Sequence, residues 1–156
     1  MSERRNKSEP MVFEDSWTAR YAYSVGQVAG KFMEGLKQKK ILATRCSKSG
    51  MTYLPPRAYC ERSFEKCDSW VEASLEGALE VATITSVGFE GSPKPPYAVA
   101  YVRLDGVDTA IAGYVRGLDL SDLEAGMRRL KAGTRVRVEF VEEPKGRVTD
   151  YYFVPA

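Results

Sequence analysis

The hydrophobic pattern changes character twice along the chain. Residues 1–16 are polar and charged, without a sustained apolar period, and read as an arm rather than a packed element. From Ser24 onward Val25, Val28, Ala29, Phe32, Met33 and Leu36 recur at i, i+3, i+4, i+7, i+8 and i+11. That spacing draws one apolar stripe along a helix over residues 24–38. Lys37, Lys39 and Lys40 then place cations at its C-terminal end, where the helix dipole favours them. Such a helix can pack on its own chain or dock on another protein. In the second case Phe32 and Leu36 are its anchors.

Periodicity stops at residues 41–71, where the sequence "RCSKSGMTYLPPRAYCERSFEKC" runs from Arg45 to Cys67. Pro55-Pro56 forces extended backbone in its middle. The stretch reads as a degenerate zinc ribbon. Cys46 is followed by Ser49 and Gly50, Cys60 by Ser63, and a third cysteine stands at Cys67.

Beyond residue 72 the period falls to two. Leu79, Val81, Thr83, Thr85 and Val87 alternate with Glu80, Ala82, Ile84 and Ser86. "YAVAYVRL" and "TAIAGYV" flank "DGVD", where Asp105-Gly106 is a hairpin signal. "TRVRVEFV" sets Val136, Val138 and Phe140 on one face, and "VTDYYFVP" supplies a fifth strand. Between the third and fourth strands lies "LDLSDLEAGMRRLKAG", with a capping box at Ser121 and Glu124 and Gly133 at its end. Five strands with a helix after the third is the order of an OB barrel. The expected fold is therefore mainly β with an N-terminal helix: an arm and helix over 1–41, a ribbon-like unit over 42–71, and a five-stranded OB barrel over 72–156. The Gly- and Pro-rich loop 88–97 interrupts the first two strands and presents Phe89, Pro95, Pro96 and Tyr97 as candidate contact residues.

Composition removes several classes of function. The chain has 156 residues, is 44% hydrophobic and 28% charged, and carries a net charge of +2. That charge is too small for a protein that coats nucleic acid or a polybasic membrane binder. There are no histidines, so Ser-His-Asp and Cys-His catalysis and mixed His/Cys zinc sites are excluded. No apolar run approaches the roughly 18–20 residues of a membrane helix, and the first residues lack a secretory apolar core. Three cysteines argue against a disulfide framework and for a reducing cytoplasm.

Helix, degenerate ribbon and barrel, in that order, resemble the DUF35 family, acyl-CoA-associated OB-fold proteins with a rubredoxin-like zinc ribbon. The resemblance runs from about residue 22 to 154 and is carried by "GKFMEGLKQKKILATRC", "YLPPRAYCERSF", "WVEAS", "PPYAVAYVRLDG" and "AGTRVRVEF". It implies a non-catalytic accessory subunit that forms a hetero-oligomer with a thiolase-superfamily enzyme and helps to bind the coenzyme A part of its substrate. Relatives serve a thiolase joined to hydroxymethylglutaryl-CoA synthase and a thiolase acting on benzoylsuccinyl-CoA. The lack of histidine agrees, because a thiolase cysteine needs histidine partners.

An intact family ribbon has cysteine at positions 46, 49, 60 and 63, and here two of these are serine. One reading keeps a structural zinc on Cys46, Cys60 and Cys67, with Asp68, Glu61 or water as fourth ligand. The other is a metal-free ribbon held by packing of Met51, Tyr53, Leu54 and Tyr59. Coenzyme A asks for cations and an aromatic shelf, for which Arg57, Lys94, Arg103, Arg116 and Tyr114 are the candidates, with Tyr97. The alternative function is a single-stranded nucleic-acid-binding OB module, with Tyr97, Tyr101, Tyr114, Tyr151, Tyr152 and Phe153 available for stacking. Its basic groove is poorly supported, since 23 cations meet 21 acidic residues.

Overall fold

In a computed structural model, which describes residues 22–156, the apolar stripe becomes helix α1, Gly26–Lys37. Expectations for the arm at 1–16 lie outside the described residues. Phe32 and Leu36 are buried in the chain's own core, at 5% and 0% exposure. This corrects their assignment as partner anchors, because side chains already removed from water have little apolar surface left to bury. The helix closes with Lys39 at φ +57°. The Lys39 N–H donates to Leu36 O at 3.0 Å and the Lys40 N–H to Gly35 O at 2.9 Å, the paired bonds of a left-handed helix cap. Replacing Leu36 with alanine is expected to cost about 3 kcal/mol, because a fully buried leucine leaves a cavity. Urea unfolding measures it, and an unchanged midpoint would remove α1 from the core.

Strands β1 (Leu42–Arg45), β2 (Thr52–Tyr53) and β3 (Ser69–Glu72) form an antiparallel sheet in the order β2-β1-β3. Two tight turns project from it, at Cys46–Gly50 and Cys60–Phe64. The Thr52 N–H donates to Asp108 Oδ2 at 2.8 Å and the Leu54 N–H to Thr109 Oγ1 at 2.8 Å, tying the sheet to the segment that follows Leu104.

That segment belongs to a closed barrel. Strands β4 (Glu76–Thr85), β5 (Tyr97–Leu104), β6 (Ile111–Val115), β7 (Arg135–Phe140) and β8 (Tyr151–Pro155) close in the order β4-β5-β6-β8-β7. Helix α2, Leu123–Arg129, lies between β6 and β7, so the expected five strands with a helix after the third are present. Among the described residues only β6 and β8 pair in parallel, at Tyr114↔Tyr152 and Val115↔Phe153. One apolar cluster joins Leu36 of α1, Ile41, Leu54 and the barrel residues Leu104 and Phe153. Helix, sheet and barrel therefore share a core. Among the described residues no helix is long and apolar enough to cross a membrane.

The structure corrects four local expectations. In β4 the register shifts between Leu79 and Val81. A bulge sends the residues beyond it to the opposite face. Leu79 points inward, Val81 is 58% exposed opposite Tyr101, and Ala82 and Ile84 pack against the core instead. At α2 the cap is Asp122 rather than Ser121: its Oδ1 accepts from the Ala125 N–H at 3.0 Å, and the Ser121 N–H is occupied by Asp119 Oδ1 at 2.9 Å. Gly133 lies beyond the helix, in the turn into β7. Tyr97 is the first residue of β5, not part of the loop.

Candidate functional site: a sulfur–hydroxyl tetrad and an exposed loop

The two turns of the small sheet repeat one hydrogen-bond pattern. In the first, the Gly50 N–H donates to Cys46 O at 2.8 Å and the Cys46 N–H to Met51 O at 2.9 Å. In the second, the Phe64 N–H donates to Cys60 O at 3.0 Å and the Cys60 N–H to Glu65 O at 2.9 Å. The fifth residue takes positive φ in both, +76° at Gly50 and +57° at Phe64. These knuckles bring positions 46, 49, 60 and 63 together. Cys46 Sγ lies 3.3 Å from Ser63 Oγ, and Cys60 Sγ lies 3.2 Å from Ser49 Oγ. The Ser63 N–H donates to Cys60 Sγ at 3.4 Å, and Tyr53 OH sits 3.1 Å from the same sulfur.

The cluster is dry. Cys46 and Cys60 are 1% exposed and Tyr53 is fully buried. Burial opposes ionisation of Cys60, but hydrogen bonds with Ser49, Ser63 and Tyr53 outweigh it and bring the thiol down to about 5. The hydrogen bond to Cys60, reinforced by burial, pushes the Tyr53 phenol up to about 12. Bonds to Ser63 and Ser49 lower Cys46, while its neighbour Cys60 opposes a second ionisation. An unfolded thiol titrates near about 8.5. The stabilisation from Cys60 is therefore complete above that value and is lost as pH falls through about 5. The melting temperature is expected to decline across that window in the wild type and to decline less in Cys60→Ala. Parallel profiles for the two proteins would contradict the assignment.

A structural zinc takes four thiolate or imidazole ligands in a tetrahedron. The donor set assembled here is two sulfurs and two hydroxyls, and a serine hydroxyl keeps its proton at neutral pH. It does not fit that ion. Cys67 does not repair the deficit. It packs against the Cys46–Tyr53–Cys60 cluster, but its N–H donates to Ala58 O at 2.9 Å, and with Thr44, Arg57 and Trp70 it borders a cleft of about 280 Å³. Burial raises its thiol. Asp68 accepts from the Ser47 hydroxyl at 3.0 Å, and Glu61 pairs with Arg57. Among the described residues no three cysteine, aspartate or glutamate side chains group to hold a metal ion, while Cys67 packs against the cluster of Cys46, Tyr53 and Cys60. Of the residues expected to pack a metal-free ribbon, Tyr53 and Leu54 are fully buried and Met51 packs on the cysteines, but Tyr59 is 57% exposed.

The second feature is the loop between β4 and β5. Ser92 organises it: its hydroxyl donates to Phe89 O at 2.8 Å and accepts from the Phe89 N–H at 3.0 Å. The Ser92 N–H closes the turn on Phe89 O at 3.0 Å. This fixed turn carries Val87 and Phe89 into solvent, at 82% and 76% exposure. Pro96 and Lys94 are exposed beside them and Pro95 is half-buried. Sequence reading singled out Phe89 but passed over Val87, whose place in the strand alternation suggested an inward side chain.

The coenzyme A candidates do not form one site. Tyr97 packs edge-on to Tyr114 with ring centroids 5.8 Å apart, and Arg116 lies 4.1 Å over the ring of Tyr152, all at the loop end of the barrel. Arg103 lies six residues beyond Tyr97 on β5, about 20 Å away at strand rise, and pairs with Glu80 at 3.3 Å. Arg57 is in the small sheet, 5.0 Å over the ring of Tyr53.

Residues 70–141 match the profile of the ChsH2 C-terminal OB-fold domain. Among solved structures the chain superposes on one described as the Ltp2–ChsH2(DUF35) aldolase, with TM-score 0.67 at 19% identity, covering 86% of this chain and 98% of that one. It also superposes on a DUF35-family protein of unknown function from Sulfolobus solfataricus, with TM-score 0.62 at 26% identity, covering 84% of this chain and 87% of that one. Comparison with curated protein sequences gives no match. A barrel of the ChsH2 type over residues 70–141, and a likeness to DUF35 structures over most of the chain's length, show an OB-fold protein similar to those of the DUF35 family.

Proposed function

We propose that the chain is a non-catalytic accessory subunit. It docks on a thiolase-superfamily enzyme that processes acyl-CoA and supports assembly and CoA-ester binding there. The observation that carries this reading is the Ser92-braced turn, which holds Val87 and Phe89 in water with nothing of the chain's own to cover them among the described residues. Large apolar side chains on a prearranged loop suit a protein interface, because little entropy is lost when they bind. The Ltp2–ChsH2(DUF35) structure, described as an aldolase, supports association with an enzyme of carbon–carbon bond cleavage. The absence of histidine leaves histidine-dependent acid–base chemistry, such as activation of a thiolase cysteine, to the partner. Tyr97, Tyr114, Lys94 and Arg116 share the loop end of the barrel and are the residues best placed to meet a CoA ester shared with that partner. The reading places the chain in the cytoplasm, where its three free cysteines stay reduced.

The nucleic-acid alternative is weakened by where the cations point. Arg103 pairs with Glu80, Arg135 with Asp105 at 2.6 Å, and Arg137 with Glu139 at 2.6 Å. Cations neutralised in this way do not make a phosphate track. Affinity capture from native lysate with mass spectrometry tests the proposal. A stoichiometric thiolase- or aldolase-type enzyme is expected. A lone chain, or one carrying nucleic acid that salt removes, would contradict it.

A further inference from the structure

The two knuckles are near copies, and their geometry persists although half of the thiols are gone. We infer that Cys46, Ser49, Cys60 and Ser63 close this sheet without a metal, through hydrogen bonds that cross between the knuckles in place of bonds to a shared ion. The crossing is direct. Ser63 of the second knuckle bonds the sulfur of Cys46 in the first, at 3.3 Å. Ser49 of the first bonds the sulfur of Cys60 in the second, at 3.2 Å.

Each serine thus spans the gap that a metal bridges in an intact ribbon. The Tyr53 phenol at 3.1 Å and the Ser63 N–H at 3.4 Å complete the surroundings of Cys60. In a tetrahedral zinc site the sulfur lone pairs face the ion. Here the sulfurs meet two hydroxyls, a phenol and an amide, with Cys60 Sγ the donor to Ser49 Oγ and the acceptor from the Ser63 N–H. Among the described residues no buried side-chain oxygen or nitrogen is left without a hydrogen-bond partner, and both buried sulfurs have a hydroxyl partner across the gap.

Three proteins test the inference: the wild type, Ser49→Ala/Ser63→Ala and Ser49→Cys/Ser63→Cys. The readouts are zinc content after dialysis and melting temperature with and without chelator. The wild type is expected to hold no stoichiometric zinc and to melt at the same temperature with chelator or added zinc. The alanine pair, which loses both cross-knuckle bonds, is expected to melt lower with no dependence on metal. The cysteine pair restores four thiols, and is expected to take up about one zinc per chain and to melt lower once chelated. Three results would overturn the inference: a wild type that retains about one zinc per chain and melts lower when it is stripped; an alanine pair that melts like the wild type; and a folded cysteine pair that takes up no zinc. If the cysteine pair fails to fold, the other two proteins still decide between metal and hydrogen bonds.

Discussion

A chain carrying Val87→Ser and Phe89→Ala is expected to lose its partner and keep its fold. The two side chains are 82% and 76% exposed, so removing them takes almost nothing from the core. Surface changes of this kind usually alter stability by no more than about 0.5 kcal/mol. Their effect on association is much larger. Aromatic anchors at the centre of an interface cost about 2–4 kcal/mol when truncated, or roughly 30- to 1,000-fold in affinity. The turn that presents them is already ordered by Ser92, so little of that energy is spent on arranging the loop. Titration of the purified partner, beside a thermal melt of each chain, separates the two effects. An unchanged affinity would remove the loop from the interface. Tyr97 is a poorer probe, because it begins β5 and packs against Tyr114, so its loss would disturb the strand as well.

Gly77→Ala is expected to damage the fold by about 3 kcal/mol or more. Gly77 lies on β4 where that strand is paired on both sides, to Leu104 of β5 and to Val136 of β7. A Cβ there would meet Arg103 O at 2.4 Å and Leu104 Cα at 2.7 Å. Both atoms are backbone and cannot swing away as a side chain would. The substitution therefore pushes β5 from β4 at the seam where the barrel closes. Urea unfolding measures the loss, and a midpoint equal to the wild type would mean that the seam is not closed at this position.

The barrel was legible in the sequence because period-two alternation and the Asp105-Gly106 turn are local signals. Helix α1 was legible for the same reason, in its 3.6-residue period. What the helix packs against was not, because one amphipathic stripe serves an intramolecular or an intermolecular contact equally well. The register shift after Leu79 was also hidden: a bulge adds a residue without changing composition, and it turned Val81 outward. At α2 two neighbouring residues, Ser121 and Asp122, both suit a cap, and only the backbone path shows that Asp119 already holds the Ser121 N–H.

The tetrad was half legible. Spacing gave the two knuckles, since Cys46 with Ser49 repeats as Cys60 with Ser63. Counting thiols then drew attention to Cys67, but counting ignores direction. The Cys67 N–H donates to Ala58 O, and its side chain packs against the Cys46–Tyr53–Cys60 cluster from the side of the cleft beside Thr44 and Trp70, outside the four knuckle positions. Serine read as a missing ligand also concealed its positive role, because a hydroxyl that cannot bind zinc well can still bond a sulfur across the gap.

The most direct test of the accessory-subunit account is the acyl-CoA cleavage rate of the captured partner, measured alone, with the wild-type chain, and with the Val87→Ser/Phe89→Ala chain. The account predicts that the wild-type chain lowers the partner's KM for the CoA ester or restores its activity, that the loop variant does neither, and that the chain alone cleaves nothing. A partner equally active with or without the chain, or cleavage by the chain on its own, would contradict it.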